Sequence, residues 1–244
     1  MFSKDVIATT VLSFALFAGF IIWMNLDVET LRLRSNEDDV IESITAILFL
    51  VSAIGFFIVL AKSEFLKQRG TKSAYLMTLA WALLMVVFAG EEISWGQRFL
   101  LIETPEFLME INKQEELNIH NIEFLNSFLG GKYRYLSIMM LMTGLIIPLF
   151  AMTRFGRRIC QKFAFPVAPL RYVVLFVGAY IFGKYFGMFP IETPTGKPTA
   201  FIATEVREFV MGVAMACFAL HGAIRPWDLF GVPKPGGPGV AHRQ

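Results

Sequence analysis

The sequence predicts an all-α, polytopic membrane helix bundle with six transmembrane helices, both termini cytoplasmic, and amphipathic helices in one long outer loop. Three observations predict it. The 244 residues are 55% hydrophobic and 17% charged, whereas a soluble domain is typically about 45–50% apolar and about 25% charged. The apolar residues gather in six runs, each near the roughly 20 residues that cross a hydrocarbon core of about 30 Å. Basic residues collect in alternate loops, which is the signature of cytoplasmic segments.

The six runs are 6–26, 41–61, 73–90, 135–153, 168–189 and 201–223. The first is too long for the h-region of a cleaved signal and no small-residue cleavage site follows it, so it reads as a retained anchor. The loop 62–72 carries Lys62, Lys67, Arg69 and Lys72 against Glu64, and the loop 154–165 carries Arg154, Arg157, Arg158 and Lys162 with no acid. The loop 27–40 has five acids and two bases, and the outer loop 91–134 has eight acids and four bases. The chain therefore reads as a single transmembrane domain over 1–225 with a Pro/Gly-rich cytoplasmic tail over 226–244. Left alone, that tail is expected to be extended or disordered. Cys160 and Cys217 fall toward the cytoplasmic side, where disulfides are rare, and no neighbouring histidine suggests zinc.

Within the outer loop, Thr104 reads as an N-cap with Pro105 at the first helical position and Glu106 in the first turn. Phe107, Leu108 and Ile111 follow at helical spacing. A second apolar set runs from Ile119 through Ile122, Phe124, Leu125 and Phe128 to Leu129, and Gly130 and Gly131 stop it. Both sets are expected to lie on the membrane surface or to cap the bundle. Ile102-Glu103-Thr104-Pro105 recurs as Ile191-Glu192-Thr193-Pro194, which is either helix-start punctuation or a trace of a repeat.

Ionisable residues at the ends of the spans carry the chemistry. From Lys62 back to Glu42 is twenty residues, from Lys72 to Glu91 nineteen, and from Arg225 back to Glu205 twenty. Each interval corresponds to about 28–30 Å of helix. Three helices thus deliver carboxylates to one outer level, with Glu208 about one turn deeper. Adjacent carboxylates such as Glu91 and Glu92 at the end of a span are costly, and they mark either a functional site or a structural ion-pair network. Glu91 shares a helical face with Ser94, Trp95 and Arg98, while Glu92 is rotated by about 100°. The two can meet one partner only if the helix breaks, and Gly96 is the expected breakpoint. Arg207 is expected to point away from the face shared by Glu205 and Glu208. Lys184, between Gly183 and Gly187, is expected to snorkel outward or to pair with Glu205 or Glu208.

His120, within Asn118-Ile119-His120-Asn121, stands in the same outer loop; its plain reading is a surface or capping histidine. With the glutamates it makes a hard donor set suited to Mg, Ca, Mn, Zn or Fe rather than copper. The expected metal ligands are Glu91, Glu92, Glu205, Glu208 and His120. Paired Glu-x-x-His motifs of a di-iron bundle, H-E-x-x-H, G-x-S-x-G and a P-loop are all absent from the sequence. Met139, Met140 and Met142 read as core packing.

GEEISWGQR (Gly90 to Arg98), ETPEF (Glu103 to Phe107) and NIHN (Asn118 to Asn121) together resemble a motif set of uncharacterised bacterial multi-pass membrane proteins. The resemblance covers about thirty residues. It implies that these residues belong together in a protein of the bacterial inner membrane, and it implies no activity.

Three functions are compatible with this reading. The first is a membrane-embedded enzyme acting on a lipid or lipid-linked head group at the periplasmic face. There Glu91, Glu92, His120 and Glu208 would be catalytic, and Arg98, Lys184, Asn118 and Asn121 would bind substrate. The second is an accessory or scaffolding subunit of a larger membrane complex, with the charged set as a structural ion-pair network. The third is a transporter, which the lack of acids in the inner half of the spans disfavours. The expected partners are membrane lipids and other membrane subunits, with no nucleic acid.

Overall fold

The computed structural model describes residues 7–8, 11–12, 14–19, 22, 40–62, 72–112, 117–118, 122, 132–188 and 199–230. Where described, residues 7–22 are helical. The helices that follow are α1 (Val40–Ala61), α2 (Lys72–Glu92), α3 (Gln97–Leu100), α4 (Glu106–Met109) and α5 (Lys132–Leu141). Then come α6 (Ile147–Met152), α7 (Arg154–Lys162), α8 (Val173–Met188), α9 (Thr199–Ile224) and α10 (Pro226–Leu229). An isolated antiparallel bridge pairs Asn112 with Ile122, so Ile122 belongs to an extended pairing rather than to the helix expected there.

Among the described residues, three helices are long and apolar enough to cross a membrane: Val40–Ala61, Lys72–Glu92 and the Thr204–Ile224 part of α9. A fourth span results if the bent pair Ser137–Met152 and Arg154–Lys162 is taken as one. Their bounds lie within a few residues of the runs read from hydropathy, because an apolar run in this solvent has to satisfy its backbone within a helix. The fifth run differs. It becomes a turn at Leu170–Tyr172 followed by the 16 residues of α8, a helix of about 24 Å.

α9 is the central helix. It packs most extensively on α1, then on α8, while α1 also packs on α2. Gly55 makes the α1–α9 approach possible: a Cβ there would lie 2.9 Å from that of Ala219. Phe56, Trp81 and Phe218 interlock at ring separations of 5.6–6.1 Å, an arrangement favourable for aromatic rings. On the far side Phe17 packs on Phe182 and closes over Gly178, which seats the N-terminal segment against α8. Met140 is fully buried as expected, while Met142 is more than a third exposed.

The fourth run is not one uninterrupted α-helix. Met142–Ile146 winds as a π segment between α5 and α6. At its centre Gly144 meets Phe176 of α8 so closely that a Cβ would sit 2.1 Å from the Phe176 Cβ.

The stretch 154–165, expected as a loop, is helical from Arg154 to Lys162 and turns by 116° from the preceding helix. Thr153 is extended and its hydroxyl accepts the Gly156 amide at 2.9 Å, an N-cap that the hydropathy profile does not reveal. Gly156 and Cys160 point inward, while Arg154, Arg157, Arg158 and Lys162 are exposed.

The start of the tail is also docked rather than extended. Pro226 opens α10, Leu229 and Phe230 are buried, and the Val167 amide donates to the Leu229 carbonyl at 2.8 Å. Two buried apolar side chains at this corner offset the ordering cost that composition alone leaves unmet. The rest of the tail, 231–244, lies outside the described residues.

Candidate functional site

The site begins where α2 stops. After Glu92 the chain enters a tight turn in which Ser94, Trp95 and Gly96 have φ of 44°, 56° and 75°. Two non-glycine residues in the left-handed region cost roughly 1–2 kcal/mol each, so side-chain contacts must hold the turn. The Trp95 indole folds back over Gly90, where a Cβ would lie 2.8 Å from the ring. Its Nε1–H donates to Glu91 Oε1 at 2.7 Å. The glycine and first glutamate of GEEISWGQR therefore serve the tryptophan of the same motif.

The outer loop is tied to this turn by amide side chains. Asn118 Nδ2 donates to the Ser94 hydroxyl at 3.3 Å, and Asn112 Nδ2 donates to the Asn118 carbonyl at 2.7 Å and to its Oδ1 at 3.1 Å. Gln97 Nε2 donates to Thr104 Oγ1, while Gln97 Oε1 accepts the Leu117 amide at 2.8 Å. Thr104 consequently does not cap a helix. α4 starts at Glu106 after Pro105, without a side-chain cap, because the Thr104 hydroxyl faces Gln97 instead. The three sequence motifs meet through Gln97–Thr104 and Ser94–Asn118.

Glu92 points the other way. One carboxylate oxygen each from Glu42 on α1, Glu92 on α2 and Glu205 on α9 lie within 4.8 Å of one another. Glu92 and Glu205 are buried and Glu42 is half-buried. Calcium–oxygen distances of about 2.3–2.6 Å put opposite ligands roughly 4.6–5.2 Å apart, so the three oxygens suit one hard divalent cation. The break after Glu92 separates the paired glutamates as helix geometry requires, one toward Trp95 and one toward α1 and α9.

Glu208 and Arg207 form a second polar pair, with Arg207 Nη2 3.7 Å from Glu208 Oε1 and both side chains buried. This corrects the expectation that Arg207 points elsewhere: its long stem lets the guanidinium curl back to its neighbour. Gly183 of α8 provides the room, since a Cβ there would lie 2.8 Å from Arg207 Cδ. Among the described residues Arg207 is a cation of this layer, and Lys184 is exposed.

Of the residues expected in the site, Glu92 and Glu205 converge with Glu42, which depth alone had placed at the same level. Glu91 engages Trp95, Glu208 engages Arg207, and Asn118 engages Ser94. His120 and Asn121 lie outside the described residues, as does the side chain of Arg98.

No protein-family model matches this chain, and neither does any curated protein or solved structure.

Proposed function

We propose that the chain is a six-span protein of the bacterial inner membrane with both termini in the cytoplasm. The carboxylate layer is then an active site at the periplasmic face, acting on a lipid or lipid-linked head group with help from a divalent cation. The observation that carries this reading is the convergence of Glu42, Glu92 and Glu205 from three separate helices to within 4.8 Å. Carboxylate oxygens are the donors that Mg, Ca and Mn prefer. Bound there, a divalent cation would polarise a phosphoryl oxygen of the head group.

The chain's own residues supply the rest. Glu92 and Glu205 hold the cation side of the site. Glu91, oriented by the Trp95 indole, and His120 of the adjoining loop are the proton-handling groups. Arg98, Lys184 and Asn121 contact the head group. Asn118 is a positioning residue, because it ties the loop to Ser94.

The test uses the full chain in detergent. Calcium, magnesium or manganese should raise its melting temperature, since a ligand at about 100 times its Kd stabilises by about 2.7 kcal/mol. Glu92→Gln and Glu205→Gln should lose that rise while remaining folded. Incubation with a bacterial lipid extract should alter a head-group mass, and Glu92→Gln should not. Full conversion by both variants sinks the enzyme reading.

One observation favours a second reading, a subunit of a larger membrane complex: the buried Arg207–Glu208 pair is the kind of contact that fixes a bundle rather than turns over substrate. A stoichiometric partner retained on native purification supports it, and a lone monomer in mild detergent counts against it.

A further inference from the structure

A cavity of about 310 Å³ lies at the other end of the bundle. His221 in its wall stands sixteen residues along α9 from Glu205, or about 24 Å. The 116° corner between α6 and α7 forms one side of the cavity, and the C-terminal end of α9 with the docked α10 forms the other. Its apolar wall includes Met152, Val167 and Phe230, and its polar wall holds Arg157, Arg171, His221 and Asp228.

The polar wall has a defined charge. Arg171 Nη2 lies 2.5 Å from His221 Nδ1, and His221 Nε2 lies 3.5 Å from Asp228 Oδ2. A guanidinium only donates. Arg171 Nη2 also lies 3.4 Å from His221 Nε2. Among the described residues of the wall, Arg157 and Arg171 stand against one acid, Asp228. The Arg171 guanidinium is also steadied over the Tyr172 ring, 5.1 Å from its centroid. Burial pushes the Cys160 thiol up, which lowers the thiolate fraction of this wall residue at neutral pH.

We propose that this cavity is a binding site for a phosphodiester anion, held by Arg157 and Arg171, and specifically for the head group of an anionic phospholipid. An anion suits a wall with two arginines and one aspartate, and guanidinium groups recognise phosphate through paired N–H donors. Near this cavity in the chain, Phe155 and Phe163 are exposed, as are Arg154, Arg157, Arg158 and Lys162 of α7. Basic residues beside aromatic ones are what an interfacial helix on an anionic leaflet presents. This site is independent of the carboxylate layer.

The experiment is a titration of the delipidated full chain in detergent, followed by native mass spectrometry. The probes are phosphatidylglycerol, phosphatidylcholine and sn-glycero-3-phosphoglycerol, the soluble phosphodiester. Phosphatidylglycerol is expected to bind tightest, and Arg157→Gln should weaken it by about tenfold, the size of one lost charge-assisted contact. Lys162→Gln, on the same helix but outside the cavity wall, should change affinity by less than about twofold. Arg157 is exposed, so this variant should fold, and an unchanged melting temperature confirms it. Glycerophosphoglycerol binding as tightly as the lipid, with the same loss in Arg157→Gln, supports the phosphodiester site and makes its ligand a soluble one. Equal lipid binding by the wild type and Arg157→Gln, or an equal loss in Lys162→Gln, overturns the proposal.

Discussion

The Trp95 indole nitrogen donates to Glu91 across four residues, at 2.7 Å, over a turn whose backbone is left-handed at Ser94, Trp95 and Gly96. The hydrogen bond and the turn depend on each other. Without the contact, less remains to offset the strain of two non-glycine left-handed residues. Without the turn, the indole does not reach back over Gly90.

Trp95→Phe keeps a ring over Gly90 and removes the donor. Because the acceptor is a carboxylate, the variant should lose about 1.5–3 kcal/mol. Gly90→Ala pushes a methyl into the ring and should cost about 1–3 kcal/mol. Thermal melts in one detergent measure both. Two unchanged melting temperatures would show that the turn is held some other way.

Arg207→Met leaves the Glu208 carboxylate buried beside an apolar side chain, which costs about 3–5 kcal/mol. Adding Glu208→Gln should recover part of that loss. A double-mutant cycle gives the coupling, and residues in contact typically couple by about 0.5–3 kcal/mol. Strict additivity would mean that the 3.7 Å approach carries no energy. Gly183→Val should mimic the loss by displacing the arginine stem.

Cys160 should react slowly with maleimide. It is buried, and that burial raises its pKa, so the thiolate fraction at neutral pH falls below that of a free cysteine. With Cys217→Ser as background, the labelling rate should climb steadily as the pH is raised above about 8.5. Labelling at pH 7 as fast as that of free cysteine would contradict the buried placement.

Phe230→Ala removes a ring that is 1% exposed and should destabilise by about 3–5 kcal/mol. Trp95→Phe and Phe230→Ala lie at opposite ends of the bundle, so their effects should add within about 0.5 kcal/mol. Limited proteolysis offers a second readout: the variant should be cut near Arg225, whereas the wild type should resist there.

The spans of α1, α2 and α9 were legible because a run of about 20 apolar residues in a membrane has one low-energy form, the helix. The common depth of Glu42, Glu91 and Glu205 was legible too, since helix rise is nearly constant. Which of these carboxylates meet was not. Glu91 is claimed by Trp95 through a turn with unusual backbone angles, and helix periodicity carries no information about left-handed residues. Arg207 escaped because neighbouring positions on an ideal helix diverge, whereas a six-atom stem in a gap left by Gly183 does not follow the ideal face. The corner at Thr153 and the docked Leu229 and Phe230 depend on single side chains finding distant partners, which composition averages away.

The π segment Met142–Ile146 has a consequence of phase. A π turn amounts to one extra residue in an α-helix, and one residue corresponds to about 100° of rotation. The side of this helix that faces its neighbours before Met142 is therefore a different sequence stripe from the one that faces them after Ile146. The two halves are tuned separately, and Gly144 against Phe176 marks where the change of phase occurs. Removing a single residue there would close the segment to an ordinary α-turn and keep Pro148, Ala151 and the Thr153 corner in phase, whereas removing one elsewhere in the helix would swing them by about 100°. The π segment is thus the one stretch of this helix where its length can change without turning α7 across the end of the bundle.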